Sequence, residues 1–394
     1  MVDENVLAGV SFANELDNIR TPAFVLDEGI LINKLEIAEK IHRDTQCNML
    51  YALKPLANRD IMQRMLYSLQ GFSGSSLYEV IFAREILGNK GSIHISTPGY
   101  RPDEINDLAE ICDHIVLNSY TQYKNYVDNL VGKTDLGLRI NPHVSNVKDV
   151  RYNPCRFNSK LGVPLANFMQ LIALNKHDKS ILQGVSGIQF HSNCDSTNYQ
   201  QLLDNYQQLA TKIGDFLPQL KWVNIGGGYL LEEEFDYEPF YAVVDNLINK
   251  FGVEVYFEPG AAYVRDAGHI VSTVIDKFVT DGGEELLILD TSINHMQEVF
   301  EYQFSPYVYG HIEAGDYRYI LAGSTCLAGD LFGTYNFKQP INVGDRVIFG
   351  KMGAYTHVKS HMFNGVNMPN IYWFSKDKIL NLRKSFTYKD YISR

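Results

Sequence analysis

The sequence predicts an α/β protein: a (β/α)8 barrel of the TIM type, followed by a mostly antiparallel C-terminal β domain. The barrel is predicted because eight short apolar or β-branched runs alternate with segments in which apolar residues recur at helical spacing. The second domain is predicted because β-type runs, broken by glycine and aspartate turns, replace this alternation beyond residue 267. The expected boundaries are 28–266 for the barrel and 1–27 plus 267–394 for the β domain.

The elements before and within the barrel follow in chain order. TPAFVLD (21–27) predicts a strand, and residues 29–44 have the apolar spacing of a helix. A doubly wound open sheet is the alternative to a barrel, but eight regular units over about two hundred residues favour closure. In a closed barrel the carboxyl ends of the strands meet at one mouth, where active sites are built. The predicted strands are NMLYALK (48–54), GFSGSS (71–76), SIHIST (92–97), HIVLNS (114–119), LGLRINP (136–142), GVSGIQFH (184–191), WVNIGGG (222–228) and VEVYFEP (253–259).

The longest interval within the barrel lies after the fifth predicted strand. Residues 141–162 read NPHVSNVKDVRYNPCRFNSKLG, which is too long and too polar for a simple turn. We expect a loop over the barrel mouth or at a subunit contact. The β-type runs of the second domain are HIVSTVIDKFVTDGG (269–283), EELLILDTS (284–292), YRYILAGSTCLAGD (317–330), GDRVIFGKMGAYTHVKS (344–360) and NIYWFSKDK (370–378).

Composition narrows the classes of partner. The chain has 394 residues, 46 acidic and 35 basic, with a formal net charge of −11. Such a chain repels nucleic acid and anionic membranes, so a small cationic molecule is the more natural partner. The five cysteines are scattered without a CxxC pair, so we expect neither a metal site nor a disulfide framework. With no signal-peptide or membrane-spanning pattern, a cytoplasmic location is expected.

Two strand ends carry groups that suit a phosphorylated aldehyde. Lys54 ends the first predicted barrel strand, where burial would lower the pKa of its amine and prepare it to form a Schiff base. A lysine that reaches out to solvent is the alternative. Gly226, Gly227 and Gly228 end the seventh strand, where amides without a neighbouring Cβ can approach a phosphate. Alone, three glycines more often mark a tight turn.

Two further strand ends suit a planar cofactor. His191 directly follows an apolar strand, so its ring could lie flat against such a cofactor, although a lone histidine usually belongs to the core. Glu258 could hold a protonated pyridine nitrogen by a charge-assisted hydrogen bond, or could cap a helix. Together with Lys54 and the glycines, these residues describe a site for pyridoxal 5′-phosphate.

At this point the sequence resembles the fold-type III, alanine-racemase-like decarboxylases of ornithine and diaminopimelate. Within that family it resembles the carboxynorspermidine and carboxyspermidine decarboxylases, through YNPCRFNSKLG (152–162), STCLAGD (324–330), HMQEVFEYQFSP (295–306) and FTYKDYISR (386–394). The strings shared with the wider family occur in the family's order over most of the chain. They are YALK (51–54), FHSNCDS (190–196), NIGGGY (224–229), FEPG (257–260), GSTCLAGD (323–330), GAYT (353–356) and FNG (363–365).

The resemblance implies a homodimer with shared active sites. Cys326, in the β domain, would reach the barrel mouth of the neighbouring subunit and protonate the α-carbon after CO2 leaves. A thiol suits that task because it can hold a proton near neutral pH. Tyr355 resembles the family's tyrosine that hydrogen-bonds the phosphate. Asp330 resembles a residue near the substrate's distal amine or the dimer contact, paired with Lys160.

The resemblance also carries information about the substrate. The diaminopimelate branch has an arginine that binds the distal carboxylate. Counted from the shared Asp290, itself taken as a substrate-binding residue, Glu298 stands in the arginine's place and Glu301 three further on. A carboxylate there would repel diaminopimelate and attract a protonated amine, unless both glutamates simply face solvent. The implied reaction converts carboxynorspermidine or carboxyspermidine to norspermidine or spermidine in polyamine biosynthesis.

Three positions depart from the family pattern. Ala261 follows EPG where most members have arginine or glutamate, so one phosphate or substrate contact is missing or supplied from elsewhere. Ser73 replaces an aspartate of the ornithine-type members. Leu327 replaces an acid of both larger branches, which agrees with the polyamine branch.

Other functions remain open on this reading. They are a decarboxylase of diaminopimelate or ornithine, a racemase on the same fold, a cofactor carrier without turnover and a catalytically inactive binding protein of the polyamine pathway. An inactive protein would need none of Lys54, Glu258 and Cys326, so their presence together favours an enzyme.

Overall fold

The computed structural model describes residues 9–393. It contains two compact units: Lys34–Tyr263, and the described residues before Lys34 together with those from Val264 onward. The strands are β1 Ala23–Asp27, β2 Asn48–Ala52, β3 Gly71–Gly74, β4 Ser92–Ser96, β5 His114–Leu117, β6 Asp135–Asn141, β7 Val163–Pro164, β8 Val185–Phe190, β9 Trp222–Asn224, β10 Glu254–Phe257, β11 Gly268–Val279, β12 Glu285–Leu289, β13 Tyr317–Ala322, β14 Leu331–Phe337, β15 Arg346–Phe349, β16 Asn370–Phe374 and β17 Leu380–Lys384.

Helices follow most barrel strands, and short helical turns occur in both units. The α-helices are α1 Glu28–Thr45, α2 Arg59–Met65, α3 Leu77–Leu87, α4 Ile105–Ile111, α5 Tyr120–Leu130, α6 Leu165–Asn175, α7 Gln200–Ile213, α8 Glu238–Asp245, α9 Ala261–Val264, α10 Gln297–Tyr302 and α11 Tyr388–Ile392. Short 3-10 helices lie at Ala13–Asn18, Lys179–Leu182, Leu217–Gln219, Ile293–His295, His357–Lys359 and Phe363–Gly365, and a π turn at Asn246–Lys250. No helix among the described residues is long and apolar enough to cross a bilayer.

The first unit is a closed parallel barrel. Its strands are paired in the order β5-β4-β3-β2-β10-β9-β8-β6, and a pairing between β5 and β6 closes the cylinder. The two-residue strand β7 is added to β6 outside this circle. The predicted barrel is therefore confirmed, with each of the eight predicted strands in it. Closure places every strand's carboxyl end on one rim.

The barrel interior is filled in two layers because residues two apart on a strand share a face. The lower layer, toward the amino ends, consists of packed rings. His94 and His114 are stacked with ring centroids 4.0 Å apart and planes inclined by 10°, next to Trp222 and Tyr256. Two residues further along the same strands, the upper layer becomes polar and includes Ser96, Asn224 and Glu258.

Trp222 needs space that two glycines provide. A Cβ at Gly187 would lie 2.0 Å from the indole ring, and one at Gly137 would lie 2.4 Å from it. Both glycines are on strands of the barrel, where glycine is otherwise unfavourable. They are therefore required by the close approach of the indole to the strand backbones.

The second unit contains a mostly antiparallel sheet, as predicted. Its strand order is β14-β13-β12-β11-β1-β16-β17, with β15 also paired to β11. Two pairs are parallel: β1 with β16, and β12 with β13. One cluster of buried residues in this unit includes Val25, Val271, Ile348, Tyr372 and Phe374, so strands far apart in sequence share an apolar core.

Candidate active site

A recessed cavity of about 420 Å³ opens at the carboxyl ends of the barrel strands. Lys54, His191 and Glu258, three of the predicted site residues, line it together. The long interval between β6 and β7 forms one wall, so the prediction of a loop over the mouth is confirmed. From this interval the lining includes Arg151, Tyr152, Asn153, Pro154, Arg156, Ser159, Lys160 and Leu161.

Lys54 lies in the turn that follows β2. The amide of Leu53 donates to the carbonyl of Ser73, and the amide of Leu56 donates to the carbonyl of Leu53, so neighbouring backbone fixes this turn. The Lys54 side chain lines the recessed cavity, through which it is accessible to solvent. Desolvation, and then the charge of Arg139, lower the pKa of the amine. A larger share of neutral amine, the nucleophilic form, follows.

Glu258 follows β10 and is held by two carboxamides. Nε2 of Gln189 donates to both carboxylate oxygens at 3.1 Å, and Nδ2 of Asn224 donates to Oε1 at 2.5 Å. Burial raises the pKa of Glu258, while the hydrogen bond from Asn224 and the charge of Lys54 act in the opposite direction. The carboxylate is thus fixed in orientation at the cavity, where it can accept a further hydrogen bond from a cationic N–H.

His191 is held by the glycine turn. The amide of Gly227 donates to Nδ1 of His191 at 3.0 Å, so Nδ1 is an acceptor and the ring proton belongs on Nε2. Desolvation and the charges of Lys54 and Arg139 keep the pKa of His191 well below its ordinary value. A neutral ring of fixed orientation therefore faces the cavity.

The three glycines are required by backbone packing. A Cβ at Gly226, Gly227 or Gly228 would lie 2.5, 2.2 or 2.0 Å from a backbone carbonyl oxygen, and the first and third have φ of +73° and +85°. The amide of Gly226 donates to Oδ1 of Asn224, and that of Gly227 to His191. The amides of Gly226 and Gly227 are thus hydrogen-bonded within the protein, and Gly228 is the one of the three glycines that is partly exposed.

The remaining predicted residues belong to the other unit, where Asp330 organises a loop. Asp330 is 3% exposed, and its carboxylate accepts hydrogen bonds from the amide of Ile293 at 2.7 Å and the hydroxyl of Ser292 at 2.9 Å. The backbone amide and the hydroxyl of Thr325 also donate hydrogen bonds to the Asp330 carboxylate. Cys326 follows at once; it is exposed, and its amide donates to Oδ1 of Asn364 at 2.9 Å. Asp330 therefore supports the segment that presents the thiol.

Asp290 also has partners within its unit. Its carboxylate accepts from the amide of Thr273 at 2.9 Å and from the hydroxyl of Thr21 at 2.6 Å. These bonds give Asp290 a structural role, and its contact with substrate stays a prediction.

The two glutamates taken as substrate-binding face one lysine. Nζ of Lys359 lies 3.0 Å from Oε1 of Glu298 and 2.8 Å from Oε2 of Glu301. The same Nζ lies 5.8 Å from the ring centroid of Tyr355, which is partly exposed and has φ of +56°. The roles of Glu298 and Tyr355 stay predictions.

Comparison with known proteins identifies the family. A family model described as pyridoxal-dependent decarboxylase, pyridoxal binding domain, matches residues 31–265, which is more than half of the chain. The chain belongs to the pyridoxal-dependent decarboxylases. It is therefore an enzyme, and the family resemblance is confirmed.

Relatives of this decarboxylase match it over nearly their whole length. A carboxynorspermidine/carboxyspermidine decarboxylase of Campylobacter jejuni is 31% identical over 96% of this chain and 99% of the relative. A carboxyaminopropylagmatine decarboxylase of Synechocystis is 34% identical over 96% of both chains. The crystal structure of carboxynorspermidine decarboxylase from C. jejuni, complexed with norspermidine, superposes with a TM-score of 0.84 at 30% identity, covering 95% of this chain and 99% of that one.

The cavity of this decarboxylase fits a pyridoxal group. An amine with a lowered pKa, a held carboxylate and a neutral imidazole face one recess of about 420 Å³, a size typical of small-ligand sites. These are the groups that an aldehyde, a pyridine nitrogen and an aromatic ring face require. Among residues 9–393, no three His, Cys, Asp or Glu side chains form a group that could hold a metal ion.

Several cavity residues escaped the sequence analysis. Arg139 lines the cavity from β6, and Gln189 and Asn224 hold Glu258 from β8 and β9. A signal existed, because a charged or amide residue inside an apolar strand of a parallel barrel is unusual. The partners of these side chains could not be inferred, since they depend on the register between strands.

Proposed function

We propose that this enzyme removes the α-carboxyl group of a carboxylated polyamine, carboxynorspermidine or carboxyspermidine, with pyridoxal 5′-phosphate carried on Lys54. The observation that carries the proposal is the convergence of Lys54, His191 and Glu258 on one recessed cavity. The full-length similarity to decarboxylases named for these substrates supports the choice of substrate.

Each cavity residue has a chemical task in this proposal. When bound, the cofactor accepts the electrons of the broken bond between the α-carbon and the carboxylate. Lys54 supplies the neutral amine that its lowered pKa favours. Glu258 keeps a proton on the pyridine nitrogen by accepting its N–H, and His191 packs its neutral ring against the cofactor face. Gly228, the partly exposed residue of the glycine turn, is assigned to the phosphate, and the role of Tyr355 stays a prediction of the family resemblance.

We also propose that two copies of the chain share their sites, with Cys326 of one chain protonating the α-carbon bound in the other. Of the five cysteines, all within residues 9–393, Cys326 is the exposed one. Mixing Lys54→Ala chains with Cys326→Ala chains tests the sharing. Random pairing would restore about one quarter of wild-type activity, since half of the dimers would hold one intact site. Activity that stays at the level of the separate variants contradicts shared sites.

The substrate's cationic tail is assigned to Glu298 and Glu301. Lys359 forms an ion pair with each of them. Two carboxylates and one ammonium give this group of three side chains a net charge of −1. That charge favours a protonated amine over the distal carboxylate of diaminopimelate.

Carboxyaminopropylagmatine is the second candidate substrate. The Synechocystis relative named for it is 34% identical to this chain, slightly more than the relatives named for carboxynorspermidine and carboxyspermidine. Its tail is also cationic, ending in a guanidinium in place of an ammonium. The choice between the tails depends on geometry as well as charge, because a guanidinium binds carboxylates in a planar, two-pronged manner.

A panel assay of CO2 release tests the proposed function. The substrates are carboxynorspermidine, carboxyspermidine, carboxyaminopropylagmatine, diaminopimelate and ornithine, each with added cofactor. We expect kcat/KM to be highest for one of the first three and to fall to background in Lys54→Ala. Lys90→Ala, an exposed lysine in the turn after α3, is the matched control. A preference for diaminopimelate or ornithine would overturn the substrate assignment.

A further inference from the structure

We propose that Gln189 and Asn224 form a carboxamide clamp that keeps Glu258 ionised and aimed at the cofactor's ring nitrogen, and that Ser96 sets the orientation of Gln189. The clamp deepens the proposed function and rests on it. Neither amide contributes an acid or a base, so both are positioning residues that act through Glu258.

Gln189 can present only its NH2 group to the carboxylate. The hydroxyl of Ser96 donates to Oε1 of Gln189 at 2.7 Å, which occupies the amide oxygen. Nε2 is then directed at both oxygens of Glu258, at 3.1 Å each. Since Gln189 is 2% exposed, water has little access to the amide and cannot easily replace these partners.

Asn224, on the neighbouring strand β9, is also held so that its NH2 group faces the carboxylate. Its Oδ1 accepts the amide of Gly226 at 2.8 Å, so its Nδ2 faces Oε1 of Glu258. Asn224 is fully buried, and it pairs directly with Gln189 in the register between β8 and β9. Two neighbouring inward positions thus aim two NH2 groups at one carboxylate, and the glycine turn fixes one of them.

The chemistry of the amide explains why this arrangement suits Glu258. A carboxamide NH2 donates hydrogen bonds but does not titrate, so it stabilises the ionised carboxylate at every working pH. Burial has the opposite effect, because it raises the pKa of Glu258. A protonated Glu258 could no longer act as an anion toward a protonated ring nitrogen. The clamp therefore offsets the cost of placing this carboxylate in a recess.

Other charged, titratable or polar groups lie around Glu258. The charges of Lys54 and Arg139 favour its ionised form. Tyr100, whose pKa burial raises, stays neutral, as does His191, whose pKa burial lowers. Ser73 adds a hydrogen bond to the carboxylate. The orientation of Gln189 is controlled by the Ser96 hydroxyl, which bonds Gln189 and not Glu258. A mutation of Ser96 can therefore disturb the clamp without removing a donor to Glu258.

The test compares Gln189→Leu, Ser96→Ala and Ser96→Thr, with Gln207→Leu on the exposed face of α7 as the matched control. Gln189→Leu should move the acid limb of the kcat/KM profile to higher pH by about one unit, the effect expected for one lost hydrogen bond to a charged group. Ser96→Ala should produce a smaller shift in the same direction, and Ser96→Thr, which keeps the hydroxyl, should restore the wild-type profile.

A second measurement is independent of turnover. Titration of the apoprotein with pyridoxal 5′-phosphate should give a dissociation constant about 10-fold weaker for Gln189→Leu than for wild type at pH 6, with a smaller difference at pH 8, because Glu258 ionises again as pH rises. If Gln189→Leu does not fold, Ser96→Ala and Ser96→Thr are sufficient to decide.

The outcomes separate two failures. If the wild type neither binds the cofactor nor releases CO2, the proposed function is wrong. If the wild type does both, but the variants keep its acid limb and its cofactor affinity, the clamp is wrong. A loss of activity that is equal at every pH also contradicts the clamp, since it would indicate a structural role alone.

Discussion

At the scale of single residues, environment divides similar groups between different tasks. Lys54 and Arg139 are both basic and both line the cavity, and burial lowers the pKa of each. Only the amine can lose its proton in the working pH range, because a guanidinium remains charged in proteins. Arg139 therefore acts as a fixed positive charge, which depresses the pKa of Lys54 and helps to keep Glu258 ionised.

We predict that Cys326→Ala slows formation of the amine product by roughly 10²-fold or more, the usual contribution of a positioned acid. Within a single turnover, release of CO2 should be slowed less than formation of the amine, because the proton is needed only after the carboxylate has left. Parallel assays of CO2 and amine check this expectation. Cys326→Ser, which keeps the size of the group but not its acidity, should behave like the alanine variant. Amine formation at the wild-type rate in both variants, or a single turnover in which CO2 release and amine formation are slowed equally, would contradict the role of the thiol.

At the scale of elements, the barrel strands divide their inward positions between support and chemistry. On β9, Trp222 packs in the lower layer while Asn224, two residues on, holds Glu258. On β4, His94 and Ser96 divide the same way. Because each strand contributes to both layers, the register that packs the rings also positions the polar groups above them.

We predict that Gly187→Ala lowers the free energy of unfolding by at least about 1–3 kcal/mol, the range for overpacked cores. The reason is that the new methyl group would meet the indole of Trp222 at 2.0 Å. Urea unfolding of the apoprotein checks this. Gly282→Ala is the control, since its nearest atom would be 3.8 Å away. Equal stability of the two variants would contradict the packing of the lower layer.

The elements also explain how far the sequence could be interpreted. All eight barrel strands were predictable because apolar runs and helices alternate at regular spacing. Lys54, His191 and Glu258 could be placed together at the barrel mouth because they end such runs. By contrast, β14 and β17 were missed, and nothing local indicates that β1 pairs in parallel with β16, more than 340 residues away by the paired positions Ala23 and Asn370. Contacts set by pairing over such separations are not encoded in any local pattern.

At the scale of the whole molecule, buried histidines make stability depend on pH. Burial lowers the pKa of six histidines. The pKa falls to about 4 for His269 and His357 and to about 3 for His295. It lies below the ordinary value for His94, His114 and His191. Below pH 6.5 the unfolded chain takes up protons that the folded chain does not, so stability falls as pH decreases toward 4. The raised pKa values of Glu79 and Glu258 oppose this trend with fewer groups.

We predict that the free energy of unfolding of the apoprotein decreases between pH 7 and pH 5 by several kcal/mol, since each such histidine contributes up to ~1.4 kcal/mol per pH unit. Urea unfolding at pH 7, 6 and 5 measures the slope. His94→Gln should reduce the slope by the share of one histidine, whereas His177→Gln, at an exposed position, should leave it unchanged. A stability that is constant over this range would contradict the neutral state of the buried histidines.

The central claim is that the Lys54 amine carries the cofactor, and borohydride reduction tests it most directly. Protein loaded with pyridoxal 5′-phosphate is reduced, digested and mapped by mass spectrometry, with Lys54→Ala and Lys90→Ala treated in parallel. We expect a stable phosphopyridoxyl group on the peptide that contains Lys54, unchanged labelling in Lys90→Ala and none in Lys54→Ala. Labelling at another lysine, with Lys54 unmodified, would contradict the account.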